Sequence, residues 1–327
     1  MQNGRKGRAM KILVYSDGQP ASVKALQFAA QLTQSLGADL SVITVRSETH
    51  AIEPLPQVGS WTDLADFSQL PPGLQVLAHA RNILSEEGLV TGKAKVQIRE
   101  LPNGHFFICQ DMAGRSIPFY VCFGHILETI NHEIAQHHYD LLIVAPPNRG
   151  RFHKMVLGDI TRKLVLDAHT SILFVRQGRA NSRFIVCADG SVAAKRQFPM
   201  LKMLLPAISP ALEFVFVETP DTDETTVQTA THCLEEARKW VTGCDKPVKV
   251  HYLKGEKPAK VISSMAGEDA VIVVGASLRH DVYRRLRGSL PIQILSLAAA
   301  STLVVKALPE EQPGDLFDPD SCKDAFL

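Results

Sequence analysis

The sequence predicts an α/β protein of two tandem, doubly wound domains, each built on a five-stranded, mostly parallel sheet. Three observations carry that expectation: the chain repeats itself, its strands are short continuous apolar runs, and helical periods separate them. Its 327 residues also exceed the usual size of one domain.

The repeat sets the boundaries. Residues 10–45 align without a gap onto 182–217 at an offset of 172, with Tyr15-Ser16-Asp17-Gly18 meeting Cys187-Ala188-Asp189-Gly190. Residues 145–176 align onto 275–306 at an offset of 130. The offsets differ by 42, the number of extra residues that the first copy carries between Val45 and Ala145. Identities are few, yet apolar positions keep their class. The domain plan is an extension over 1–9, a first copy over 10–177, a linker over 178–181, a second copy over 182–306 and a tail over 307–327.

Taken in order, the first copy opens on the apolar run Ile12–Tyr15. Such a run, without polar alternation, suits a parallel strand covered on both faces. Ala25, Phe28, Ala29, Leu32 and Leu36 then mark one helix face, and Gly37 is placed to end that helix. Leu40–Val45 is the second strand. The extra residues fall in two places, a Pro- and Ser-bearing loop over 46–73 with Trp61 inside it, and an aromatic hairpin within 103–123 that turns near Ala113. Cys109 and Cys122 would not sit opposite each other there. His125, His132, His137 and His138 follow on one expected helix, where His132 and Glu128 share a face, but one such pair is no convergent metal set. Leu141–Val144 and Ile172–Val175 are the remaining strands.

The second copy repeats this plan more compactly. Pro199 should kink or shorten the helix after Asp189. Val227, Ala230, Leu234, Ala237 and Val241 form the next helix face, and Val271–Val274 and Thr302–Val305 are strands. Residues 307–327 are acidic and carry proline without periodicity, as a mobile tail would.

Composition narrows the function classes. A formal charge of +1 argues for neither nucleic acid nor membrane as partner. No apolar run is long enough to cross a bilayer, and the basic N-terminus lacks the apolar stretch of a secretion signal. The six cysteines show no metal-binding spacing and read as reduced thiols, so the cytoplasm is the expected location.

In a doubly wound sheet, ligands gather at the carboxyl ends of strands where the strand order reverses. That directs attention to Asp17 and Asp189, to Val45 and Val217, and to the turns after Val144 and Val274. The pattern of strand, Asp-Gly, helix, Leu-Gly-Ala-Asp-Leu and strand, closed by strand, small-residue turn, Gly-Ser, helix and strand, resembles the universal stress protein family. The resemblance covers nearly the whole chain outside the insertion and tail, and implies a Rossmann-like fold.

It also implies site residues. ATP-binding members carry Gly-x2-Gly-x9-Gly-(Ser/Thr) after the fourth strand, where glycines let backbone amides approach phosphate and the hydroxyl residue opens a helix. The second copy reads Gly275-x2-Leu278-x9-Gly288-Ser289, keeping three of four positions, with Arg279, His280, Arg284, Arg285 and Arg287 in the same loop. The first copy reads Ala145-x2-Asn148-x9-Gly158-Asp159, where one position matches and a carboxylate replaces the hydroxyl. Asp17 and Asp189 match the family's acidic residue beside the adenosine, and Val45 and Val217 the position whose backbone meets the adenine. The structural alternative is that Asp-Gly is kept for its own turn and Gly275 for tight packing.

These residues imply a non-catalytic stress-response protein with an altered ATP or AMP site in the second copy and none in the first. The alternative is a ligand-free interaction protein, in which the copies form a pseudo-dimer through their last strands and the hairpin recruits a protein partner, with a homodimer as the further expected assembly. A weak ATP-hydrolysing enzyme is the third reading. The related ATP-pyrophosphatases use a Ser-Gly-Gly-x-Asp-Ser loop, which Ser16-Asp17-Gly18-Gln19-Pro20 and Ala188-Asp189-Gly190-Ser191-Val192 lack.

Overall fold

The structure, a computed structural model, describes residues 9–47, 70–91, 98–146, 159–177, 179, 182–208, 212–242, 247–276 and 289–306. Trp61, the tail, and most of the 46–73 loop lie outside them. The chain divides into two compact units, Met1–Ala145 and Pro146–Leu327.

The first unit runs β1 (Lys11–Tyr15), α1 (Pro20–Leu36), β2 (Asp39–Arg46), α2 (Pro72–Glu86), β3 (Arg99–Leu101), β4 (Gly104–Gln110), β5 (Ser116–Phe123), α3 (Ile126–His137) and β6 (Leu141–Val144). Its strands lie in the order β6-β1-β2-β5-β4-β3. β1 pairs in parallel with both β2 and β6, and Ile12, Leu13 and Val14, which alternate between the two faces of the sheet, are wholly buried, as in a parallel sheet covered on both sides. α1 buries Ala25, Phe28, Ala29 and Leu32 of the face read from its spacing, leaves Leu36 half-buried, and ends at Gly37, whose left-handed φ of 60° suits a residue without Cβ.

The aromatic hairpin forms as β4 and β5, with Cys109 opposite Ile117 and Cys122 opposite Gly104. Its return strand has a second role: β5 also pairs in parallel with β2, Thr44 opposite Val121. It is therefore the third parallel strand of the sheet, and β3 and β4 are the antiparallel addition beyond it. Phe107 and Phe119 stack at 4.7 Å on the covered face, fixing this register from within.

The histidine cluster is only partly helical. His125 precedes α3 and His138 ends it in the left-handed region, so His132 and His137 alone lie inside the helix. His137 faces Glu133 at 3.4 Å. Burial lifts the Glu133 carboxyl above the usual range, and nearby His137 opposes that shift.

The second unit runs α4 (Asp159–Asp167), β7 (Ser171–Phe174), β8 (Arg183–Cys187), α5 (Val192–Lys195), α6 (Phe198–Leu204), a 3-10 turn (Leu205–Ala207), β9 (Leu212–Glu218), α7 (Glu224–Thr242), β10 (Val248–Lys254), α8 (Pro258–Ala266), β11 (Ala270–Gly275), α9 (Leu290–Leu297) and β12 (Ser301–Val305). Strand order is β10-β9-β8-β11-β12-β7. The chain enters at β8, winds outward through β9 to β10, and returns to β11 on the other side of β8. That reversal between β8 and β11 is the topological switch point. β7 and β12, the last strands of the two repeats, pair antiparallel with Leu173 opposite Leu303.

The helix that is continuous as α1 in the first repeat is broken here into α5 and α6, as Pro199 requires. Phe198 fills the break, stacking near Phe214 and meeting Trp240 edge-on at 5.5 Å. The α7 face read from the sequence buries Ala230, Leu234, Ala237 and Val241. No helix among the described residues is long and apolar enough to cross a membrane.

Candidate functional site

The ends of β8, β9 and β11 open into a cavity of about 490 Å³ in the second unit. Each wall follows from local chain chemistry. Past β8 the Ala188 amide still bonds to the Val215 carbonyl, at 3.0 Å, so the sheet extends to the rim. Asp189 then turns the chain, its Oδ1 accepting from the Ser191 amide at 2.9 Å. Gly190 follows at φ +75°, with Thr229 packed where a Cβ would project. Ser191 caps α5 by accepting from the Ala194 amide.

The opposite wall is built from β11 and the start of α9. A Cβ on Gly275 would collide with the Ala193 carbonyl, so glycine is required there to let α5 approach β11. Ser289 precedes α9, and its hydroxyl makes no capping bond. Pro291 withdraws one first-turn donor, while the remaining amides and the helix dipole still favour negative charge. Val217, Pro258 and Ile262 supply the apolar floor.

Asp189, Val217, Gly275 and Ser289 are thus brought together around one cavity. Leu278 and Gly288 lie outside the described residues, as do Arg279, His280, Arg284, Arg285 and Arg287. Among the described lining residues there is no lysine, arginine or histidine, and Asp189 is the charged group at the rim. Cys187 also lines the cavity, but burial and then the Asp189 charge push its thiol far up, so it stays protonated.

The first-copy residues are placed differently. Asp17 accepts from the Gln19 amide at 2.9 Å and the Ser22 hydroxyl at 2.5 Å, and Gly18 takes φ +81° against Val76. Its carboxylate is therefore engaged in starting α1. Val45 is buried near the end of β2, and Ala145 follows β6 in the first unit. Asp159 is the exposed first residue of α4 in the second unit, while Asn148 and Gly158 lie outside the described residues.

One wall residue escaped the sequence reading. Gln197 is completely buried between α5 and α6, donating from Nε2 to the Cys187 carbonyl at 2.8 Å and the Ala194 carbonyl at 3.2 Å. The signal was available: at the repeat offset Gln197 meets Ala25, an amide where the first copy keeps a methyl group.

Residues 9–176 match the model of the universal stress protein family. Among solved structures, a universal stress protein from Archaeoglobus fulgidus DSM 4304 superposes with a TM-score of 0.59 at 16% identity, covering 92% of this chain and 99% of that one. A functionally unknown protein from Pseudomonas aeruginosa PAO1 gives 0.56 at 15%, covering 96% and 97%. A universal stress protein in complex with cAMP gives 0.33 at 15% and covers 52% of this chain and 98% of that one. A search of curated proteins found no match.

Proposed function

The chain belongs to the universal stress protein family, and from that premise we propose a non-catalytic stress-response protein that holds an adenine nucleotide, ATP or AMP, in its second copy. One observation carries the reading: the cavity sits at the switch point of the second unit, with Asp189, Val217, Gly275 and Ser289 on its wall. Its volume, about 490 Å³, suits a ligand of nucleotide size. The first copy holds none, because Ala145 and Asn148 stand where the family signature has glycine and Asp159 places a carboxylate where it has a hydroxyl. A non-catalytic role is supported by the chemistry of the wall, where the Cys187 thiol stays protonated and Asp189 is bonded to the Ser191 amide. Calorimetric titration of the full chain with ATP and with AMP tests this. Saturable heat at one ligand per chain is the expected result, and no heat with either at high protein concentration overturns it.

A second reading, contact through the hairpin, is favoured by its outer face. Phe106 stacks near Tyr120, Arg99 lies over the Phe106 ring at 6.0 Å, and Ile108 and Met112 are 44% and 72% exposed. If a second copy of the chain covers this face, sedimentation velocity should show a dimer that Ile108→Lys converts to monomer. A monomer at all concentrations would remove self-association from this reading.

A further inference from the structure

We propose that the outer edge of β10 is the contact surface for a second molecule of this chain, which joins it antiparallel through its own β10 about a two-fold axis centred on His251.

β10 ends the strand order of the second unit and pairs along its whole length with β9, from Val248 opposite Leu212 to Lys254 opposite Glu218, without a bulge. Two flanking bonds fix the direction of its backbone groups. The Leu212 amide donates to the Pro247 carbonyl at 3.1 Å, and the Gly255 amide donates to the Glu218 carbonyl at 2.9 Å. In a parallel ladder alternate residues bond to the same neighbour, so Lys249, His251 and Leu253 also bond toward β9. The amides and carbonyls of Val248, Val250, Tyr252 and Lys254 therefore point outward, where no strand among the described residues pairs with them. No residue of β10 is buried, and Tyr252 is 52% exposed.

The first copy shows what such an edge accepts. There β5 lies beside β2 as β10 lies beside β9, and the outer edge of β5 carries the antiparallel strand β4. β10 is seven residues long, as β4 is, and contains no proline to interrupt a partner.

Side-chain chemistry selects the occupant. A two-fold axis normal to the sheet centres the pairing on one residue, because opposed residues share a face. Centred on His251, the whole strand is paired: Val250 faces Tyr252 of the other molecule, Lys249 faces Leu253, and Val248 faces Lys254. A β-branched residue against an aromatic one is a favourable cross-strand pair. Centring on Val250 would instead set Lys249 against His251. Edge lysines repel chance partners, but in the His251 register both lysines meet apolar residues. Each His251 also has the Glu213 carboxylate of its own chain at 3.0 Å.

Sedimentation velocity of the full chain over a concentration series tests the contact. A dimer is expected. Val250→Pro removes an outward amide and spares the ladder to β9, so it should give a monomer that keeps its melting transition. Ile108→Lys in the hairpin should leave the dimer unchanged. A monomer at every concentration, or a dimer that survives Val250→Pro, overturns the proposal, as does a dimer lost with Ile108→Lys. If Val250→Pro loses its melting transition, Tyr252→Lys takes its place. It alters an exposed side chain and should weaken the dimer roughly tenfold; unchanged affinity counts against the proposal. Cross-linking under air oxidation reads the register. His251→Cys should give a covalent dimer on non-reducing gels, because the two thiols meet at the axis. Lys249→Cys lies about 13 Å from its twin and should give no more than the unmodified chain. The reverse pattern, or no cross-link from either variant, overturns the His251-centred pairing.

Discussion

The Lys306 ammonium group reaches the Leu166 carbonyl at 3.3 Å, at the C-terminal end of α4. Its partner in the repeat does the same elsewhere: Arg176 donates from Nη2 to the Leu295 carbonyl at 2.9 Å, near the end of α9. Each repeat thus ends in a cation that binds a carbonyl near the end of the other repeat's last helix, where the dipole favours positive charge.

The two cations differ in titration. Burial pushes the Lys306 ammonium down to about 8, with Asp167 opposing the shift. Below pH 8 folded and unfolded chains both carry this proton. Between about 8 and 10.5 the unfolded chain keeps it while the folded chain has released it, so stability contributed by this group rises with pH. Urea denaturation at pH 7 and pH 9.5 should show that rise relative to Lys306→Met, whose curve lacks it. Parallel pH dependence in the two proteins would contradict the assignment.

A reciprocal pair of hydroxyls ties the same strands. The Ser301 Oγ accepts from the amides of Arg176 at 3.0 Å and Gln177 at 3.2 Å, while the Ser171 Oγ accepts from Lys306 at 3.2 Å. Removing either hydroxyl strands buried or half-buried amides at a cost of about 1–3 kcal/mol. Ser301→Ala should cost more than Ser171→Ala, because two donors lose their acceptor instead of one. Chemical denaturation of the two variants decides the order.

Gly275 is expected to be the least replaceable of three glycines. Gly275→Ala drives a methyl group into the backbone of α5 and should cost several kcal/mol, on the order of 3 or more. Gly190→Ala combines a φ of +75° with a close Thr229, for about 2 kcal/mol. Gly114 in the hairpin turn has φ +80° but open space around it, so Gly114→Ala should cost only about 1 kcal/mol. Thermal melts of the three variants should rank in that order.

Glu213 offers a test of a buried ion network. It is almost fully buried on β9 and meets Arg183 at 3.1 Å and His251 at 3.0 Å. Glu213→Ala leaves the Arg183 charge without this carboxylate. The loss should be roughly 2 kcal/mol, below the range for fully buried pairs because Arg183 keeps contact with solvent. Glu213→Gln should recover part of it through hydrogen bonding.

Much of this molecule was legible in the sequence because the repeat constrains it twice. The continuous apolar runs identified β1, β6 and β11, and Gly37 marked the end of α1 through its left-handed φ. Pro199 announced the broken helix. The dual role of β5 was not legible, since Phe119 and Val121 show the same alternation whether β5 pairs with β4 alone or also with β2. Long-range pairing of that kind leaves no local signal. The same limit hid Gln197 and Glu213. Each is a polar residue where the first copy has Ala25 or Ser41, and their partners lie on other elements that spacing alone does not bring together. The Asp-Gly turns were found for their place at the strand ends, and the structure gives them a backbone reason that holds with or without a ligand.

The central claim is that one adenine nucleotide binds, and that it binds in the second copy. It is tested most directly by the stoichiometry of AMP binding to the full chain with and without Val217→Trp, which fills the cavity from the end of β9. The account predicts one site per chain in the wild type and none in the variant. Two sites per chain, or a site that survives Val217→Trp in a folded protein, would contradict it.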